Sequence, residues 1–296
     1  MGTVKVGIKL ADSSAKVLIG GDGGDYETVL SELNGQYIDI FDFHWFTPYA
    51  DYRFQDPSRG NKLLYVRNLL SSRGYANIPI WITEMSSYSG FPQPDKYSNG
   101  FQSEQKQAEG YIKKYIYALS QGVSKLFPAY GLIEGYGSLE DNEFWDNTGL
   151  IYDGYCYLNC LTIWPNGVEP TRGTKKLSYY SYKLMTQKLE GSNWTNIQET
   201  QLATNVWAYR FLNRNTNKPI YVVWWDYWNE PSAYNKSVSI PVIITGNVFV
   251  TEAVPKYSSG SQVTNFATAF NSETKQVSSG QVSLTLGQNP VYVESA

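Results

Sequence analysis

The chain has 296 residues, 42% hydrophobic, 17% charged and 16% aromatic, with a formal net charge of −3. At about 100–200 residues per domain this is one large domain or two, long enough to bury a sizeable core and too apolar to stay disordered. No Lys/Arg run and no apolar stretch near the ~20 residues that span a bilayer occurs, so neither nucleic acid nor a membrane is an expected partner.

The opening MGTVKVGIKL lacks the apolar core and cleavage site of a secretory signal, and cytoplasmic and secreted localisation both stay open. The only histidine is His44 and the only cysteines are Cys156 and Cys160, too few ligands for a zinc site, so no metal or other cofactor is expected. The two cysteines form either a small-loop disulfide or two free thiols. With 9 Trp, 25 Tyr and 12 Phe, the chain is rich in flat faces with polar edges, which suit sugar stacking and also suit strands and cores.

In chain order, residues 16–20 (KVLIG) read as a buried strand that ends in the glycine-rich GGDGG. Residues 26–33 have helical spacing, 37–44 (YIDIFDFH) alternate as a strand, 61–70 are helical, and 78–84 (IPIWITE) form another strand. The clearest helix follows: Ala108, Tyr111, Ile112, Tyr115, Ile116 and Leu119 share one face, Ser103 caps the start and Gly122 follows the end. Residues 123–130 are a strand, 131–172 a long Gly/Asn/Asp-rich loop, and 175–189 a last helix. Four strand–helix units in succession predict a parallel sheet covered by helices. After Gly191 the helical period disappears. NVWAYRFL, PIYVVWWD, SVSIPVII, NVFVTEAV, QVSLTL and NPVYVE predict an antiparallel β-sandwich. The expected division is a partial barrel over residues 1–192 and a sandwich over 193–296.

Two strand ends carry polar residues in an apolar setting, DIFDFHWF at 39–46 and WITEM at 81–85. Catalytic groups of barrel enzymes sit where parallel strands end, which places Glu84 where a catalytic carboxylate belongs. The alternative is a glutamate that ends a strand and faces solvent.

The order GG, DIFDFHWF, PIWITEM, a Gln-containing helix leading to GVSKLF, then TGLI and KLSYYSYKLM resembles clan A glycoside hydrolases, with families 39 and 5 nearest in texture. The resemblance implies an α/β plus all-β fold in which the four units stand for barrel strands five to eight, followed by the β-domain common after such barrels. It implies that Glu84, in PIWITE, is the nucleophile of a retaining mechanism. The family pattern His-x-Tyr on the sixth barrel strand reads here His44-Trp45-Phe46, so Phe46 replaces the tyrosine donor and Trp45 or Tyr49 is left to substitute. His44 is open to two readings, a site residue or a buried, internally satisfied histidine. The usual tryptophan platform on the eighth strand is missing, which turns attention to Tyr130, Trp145 or Trp164, with Glu134 within reach of sugar hydroxyls. Glu140, Asp141, Glu143 and Asp146 read as a solvated acidic loop.

The family's acid/base glutamate follows an asparagine at the end of the fourth barrel strand, and by this resemblance strands one to four are not in the chain. Trp228-Asn229-Glu230-Pro231 imitates that motif but follows a strand, where Asn and Pro favour a turn. A half barrel exposes two strand edges and an apolar inner face, so completion by a second chain or by self-association, or a truncated fragment, is expected. Three functions follow. The first is the nucleophile-bearing half of a retaining glycosidase acting on β-linked glycans. The second is a non-catalytic carbohydrate-binding or structural subunit. The third is a different barrel hydrolase that pairs Glu84 with Glu134 or Asp42.

Overall fold

The computed structural model describes residues 2–20, 26–94, 100–128, 132–135, 143–154 and 171–296. Its first part alternates helices α1 (Gly2–Ala11), α2 (Tyr26–Leu33), α3 (Lys62–Ser72), α4 (Glu104–Ser120) and α5 (Leu177–Leu189) with strands β1 (Leu18–Ile19), β2 (Ile40–Phe46), β5 (Ile80–Ser86) and β6 (Lys125–Pro128). The four strands form one parallel sheet in the order β1-β2-β5-β6. A small hairpin, β3 (Gln55–Asp56) with β4 (Gly60–Asn61), leads into α3. This sheet and its helices are the expected partial (β/α) barrel. Strand β2 begins three residues later than the alternation suggests and runs on to Phe46, and β1 and β6 are shorter than their apolar runs.

Capping fixes the helix that backs the site. The Ser103 hydroxyl accepts from the Lys106 amide at 3.3 Å, and Gly122 closes the other end with φ +78°. α4 is buried almost all round, packed against α5 and joined to β5 through Lys114 and to β9 through Lys113.

The second part holds β7 (Gln198–Ala203), β8 (Val206–Leu212), β9 (Pro219–Trp225), β10 (Lys236–Pro241), β11 (Asn247–Glu252), β12 (Ser272–Gln276), β13 (Gln281–Leu286) and β14 (Val291–Ser295). Six of them make an antiparallel sheet in the order β12-β11-β14-β9-β8-β7, and β10 pairs with β13. This is the expected antiparallel sandwich.

The centre of the six-stranded sheet is buried on both faces. On β9, Val222 and Trp224 join the core shared with the helices of the first part, while Tyr221, Val223 and Trp225 join the core beneath β10 and β13. That is why PIYVVWW reads as a continuous apolar run, since a strand covered on both sides needs no polar face. The edge strands β7 and β12 are polar (QETQLA and SETKQ), as suits strands with one side unpaired.

The two parts are tied by buried polar bonds. The Glu104 carboxylate accepts from the Tyr152 hydroxyl at 2.9 Å, the Leu177 amide at 2.7 Å, the Ser259 hydroxyl at 2.7 Å and the Gly260 amide at 2.8 Å. One side chain thus caps the start of α5 and holds the loop after β11. At Gly260 a Cβ would collide with the Lys175 carbonyl, so the loop approaches as closely as backbone allows. Lys113, fully buried on α4, pairs with Glu109 at 2.5 Å and lies 3.7 Å from Asp226, which also accepts from the Tyr52 hydroxyl at 2.8 Å. Burial raises the pKa values of both Glu109 and Asp226, with Lys113 opposing.

The WNEP segment is a turn, as its position after β9 suggests. Tyr227–Asn229 form a 3-10 turn, and Glu230 bonds Lys236 at 2.7 Å and Asn205 at 2.9 Å. Glu230 therefore belongs to the sandwich. Part of the expected acidic loop is not solvated: Asp146 is 1% exposed and accepts the Glu143 amide at 2.9 Å, inside a 3-10 turn at Phe144–Asn147. Glu140, Asp141, Cys156 and Cys160 lie outside the described residues.

Replacing Glu104 by Gln turns one acceptor oxygen into a donor that faces donors. Glu104→Gln is expected to lower unfolding stability by about 2–4 kcal/mol, measured by denaturant titration. A change within 0.5 kcal/mol would show that the carboxylate is not needed there.

Candidate active site

The site forms where β2 and β5 end. Strict alternation would send Thr83 and Glu84 to opposite faces of the sheet. The register forbids it. Asp42 pairs with Trp81 and His44 with Glu84, so three steps on β5 match two on β2. Against β6, Ile82 pairs with Leu126 and Met85 with Pro128, again three steps against two. β5 therefore carries one extra residue relative to both neighbours, a bulge at Thr83–Glu84. Both side chains then meet the same face of β2, where Asp42 and His44 stand two residues apart.

The contacts form a chain. Asp42 Oδ1 accepts from the Thr83 amide at 2.8 Å and Oδ2 from the Thr83 hydroxyl at 2.6 Å. Thr83 Oγ1 lies 3.2 Å from His44 Nε2, and His44 Nδ1 lies 3.3 Å from Glu84 Oε2. Exposure of the side chains rises along the chain, from 2% at Asp42 through 20% at His44 to 31% at Glu84. Glu84 is the most open of the three. Gly20, just after β1, makes the buried end possible, since a Cβ there would stand 2.7 Å from Leu18 and 3.1 Å from the Asp42 carboxylate.

An aromatic wall flanks His44. Phe46 meets the His44 ring edge-on at 6.0 Å, and Trp145 stands against Phe46 at 4.4 Å. Phe144 and Tyr88 complete this cluster. Trp145 is therefore one ring removed from His44. On the other side Trp81 tilts against Phe127 and lies under Lys125.

The remaining candidates have other neighbours. Trp45 packs on Phe54, on the helix-facing side of β2, with its indole N–H buried and without an acceptor among the described residues. Tyr49 stacks on Tyr227 and takes Lys106 over its ring, at the junction with the sandwich. In this arrangement the polar ring facing Glu84 is His44. Glu134 is 6% exposed and pairs with the buried Lys176, which also bonds Ser89 at 2.8 Å. Asp42 and Glu134 are thus both committed to internal partners. Tyr130 and Trp164 lie outside the described residues. Sequence reasoning missed Thr83 and the bulge. The one available signal was the two-residue spacing of Asp42 and His44.

Behind the site, Lys114 of α4 donates to the Thr47 carbonyl at 2.6 Å and the Ser86 carbonyl at 2.8 Å, clamping the ends of β2 and β5 together. Burial pushes its pKa down to about 7, against a weak opposing pull from Asp51. The unfolded chain keeps that lysine charged up to about pH 10.4. Between these values the unfolded state binds more protons, so stability rises with pH. From about pH 7 to about pH 9 the melting temperature is expected to rise, with a slope of at most about 1.4 kcal/mol per pH unit from this group. In Lys114→Met the rise should flatten. An equal slope in both proteins would refute the assignment.

No protein-family model matches the sequence. No curated protein matches it. Solved structures do match. An α-L-arabinofuranosidase of family GH51 from Thermotoga petrophila RKU-1 aligns with TM-score 0.62 and 14% identity, over 99% of this chain and 60% of that one. An α-L-arabinofuranosidase from Thermotoga maritima gives 0.60 and 13%, over 98% and 59%. A glucosidase from Croceicoccus marinus gives 0.56 and 11%, over 99% and 63%. The chain thus spans about 60% of the length of these structures. The first of these is of family 51, families 39 and 5 are not specifically supported, and at this identity the matches show the fold alone, one shared with glycoside hydrolases.

Proposed function

We propose that the protein is the nucleophile-bearing part of a retaining glycoside hydrolase acting on β-linked glycans. In this reading residues 1–192 are the half barrel, residues 193–296 are the sandwich, and Glu84 is the nucleophile. The observation that carries it is the Glu84 carboxylate, half open at the C-terminal end of the parallel sheet and facing the His44 ring at 3.3 Å. A glutamate that merely ended a strand would need neither the bulge nor the chain of partners behind it.

In the reaction, a Glu84 oxygen attacks the anomeric carbon as the glycosidic bond breaks, giving a glycosyl ester. A second carboxyl group, about 5–5.5 Å away, gives its proton to the leaving oxygen and later takes one from the water that cleaves the ester. Asp42 and Glu134 are poor candidates for that group, because each is buried and held by other residues. We assign it to a complementary half barrel carried on further polypeptide, since a second copy of this chain would bring another Glu84 rather than that group. The edges β1 and β6, each with no outer neighbour among the described strands, support such completion. Trp145 and Phe46 would flank the sugar. The names of the similar structures, α-L-arabinofuranosidase and glucosidase, add arabinofuranosides and glucosides to the substrates worth testing.

The test uses dinitrophenyl 2-deoxy-2-fluoro glycosides of several sugars, which need a nucleophile but little acid assistance. Intact-mass and peptide mapping should find one adduct on Glu84, absent in Glu84→Gln. Turnover of unactivated glycosides by the chain alone should be lower by about 10²–10⁴, the usual contribution of acid–base assistance. An adduct on another residue would overturn the Glu84 assignment. No adduct with any sugar, together with sugar affinity unchanged in Glu84→Gln, would make the chain a binding or structural subunit instead.

A further inference from the structure

We propose that the sandwich carries a second binding site, a cleft at Arg210 that takes a sugar acid, with the ligand's carboxylate on the guanidinium and its hydroxyls on the rim. The cleft lies on the face of the six-stranded sheet turned away from the helices. The inference does not rest on the reading of Glu84.

Unequal sheets create the cleft. Two strands, β10 and β13, cover a sheet of six. Along β8, Tyr209 and Phe211 enter the core shared with the helices, while Val206 and Ala208 enter the core beneath β10 and β13. Arg210 has the parity of Val206 and Ala208 and so shares their face. Its cross-strand partners, Gln198 on β7 and Tyr221 on β9, stand on that face too. Next to β10 this row borders an open cleft of about 210 Å³, walled by Ile240, Pro241, Val242 and Ile243.

The cleft offers donors and no negative charge. Arg210 Nε is buried and has no hydrogen-bond partner among the described residues. No acidic residue lines the cleft. Glu199, next to Gln198 on β7, belongs to the opposite face, where it binds Arg53 at 2.8 Å and the Tyr209 hydroxyl at 2.9 Å. The Tyr221 hydroxyl accepts from the Ile243 amide at 2.9 Å, which leaves its own hydrogen to donate. The open cleft on the other side of β10 and β13 has the reverse character: Glu252 lines it and accepts from Asn271 and Asn289, both at 3.1 Å.

These groups select the ligand. A buried N–H without an acceptor is costly, and a ligand oxygen would satisfy it. The planar guanidinium fork matches a carboxylate with two parallel bonds. Gln198 and Thr200, exposed on β7 at the rim, both donate and accept, as sugar hydroxyls require. Leu202 and Ala208 give the C–H face of a ring an apolar surface. The cleft is smaller than the pockets of about 300–1,000 Å³ that enclose drug-sized ligands, which suits a single hexuronate residue.

The test titrates ¹⁵N-arginine-labelled protein with D-glucuronate and D-galacturonate, and follows the Arg210 Nε–H signal, identified by its loss in Arg210→Gln. One of the two uronates is expected to shift that signal at millimolar concentration. Glucose and galactose, which keep the hydroxyls and lack the carboxylate, should bind at least about tenfold more weakly, as should acetate, which has only the carboxylate. Arg210→Gln should weaken uronate binding, read by calorimetry, about tenfold or more. Arg210→Lys, which keeps the charge and loses the fork, should also weaken it, and it serves if Arg210→Gln does not fold. Glu84→Gln should bind uronate as wild type does, which separates this cleft from the strand-end site whatever the labelling of Glu84 shows. An Arg210 signal unmoved by either uronate, neutral sugars binding as well as uronates, or uronate binding lost in Glu84→Gln would overturn the proposal. Acetate or sulfate binding as tightly as uronate would overturn the sugar acid and leave a general anion site.

Discussion

The arrangement depends on one extra residue in β5. A parallel strand of regular pleat gives one face to Trp81 and Thr83 and the other to Ile82 and Glu84. Had β5 kept that pleat, Glu84 would point among the helices, where Ile82 and Met85 are fully buried, and the cost of its charge there would be large. The bulge turns it to the face that Asp42 and His44 occupy. Bulges recur next to active sites because they re-aim a side chain without moving the strand that carries it. Here the re-aimed carboxylate gains His44 as a neighbour and stays half open.

That position is held from behind. α4 supplies both supports: Lys114 reaches the carbonyls of Thr47 and Ser86, and Lys113 meets Glu109 and Asp226 at the sandwich. Buried charges of this kind add little net stability, but removing one partner leaves the other uncompensated. They fix how the six-stranded sheet sits on the helices, and the shared core of Tyr52, Phe54, Tyr209 and Trp224 supplies the apolar contact. Gly110 marks how close the layers come, since a Cβ there would lie 2.8 Å from the Tyr49 backbone. The sandwich is thus a wall of the half barrel's outer layer, and it sets where Tyr49 goes.

Much of the fold was legible because burial writes itself into periodicity. α4 shows an apolar stripe with a serine cap, and β8, β9, β11, β13 and β14 are apolar runs between turn residues. The elements that escaped notice are those without a buried face. β7 and β12 are polar edge strands held by backbone pairing, and β3 and β4 are two residues each. Asp146 looked like one of a run of solvated acids, yet it closes a 3-10 turn under the aromatic cluster. Composition cannot distinguish a carboxylate that caps a turn from one that faces water.

The sequence by itself determined the class of the fold, an α/β half barrel followed by an antiparallel sandwich, and the strand end on which Glu84 sits. Those follow from local patterns of apolar and polar residues, which each segment carries alone. Tertiary structure decided the company each polar residue keeps. Glu84 faces His44, Glu134 is spent on Lys176, Glu230 is spent on Lys236, and Tyr49 stacks at the sandwich rather than beside Glu84. A side chain's partner depends on register and on residues tens of positions away. The bulge that brings Glu84 to its place exists only in the pairing of β5 with its two neighbours.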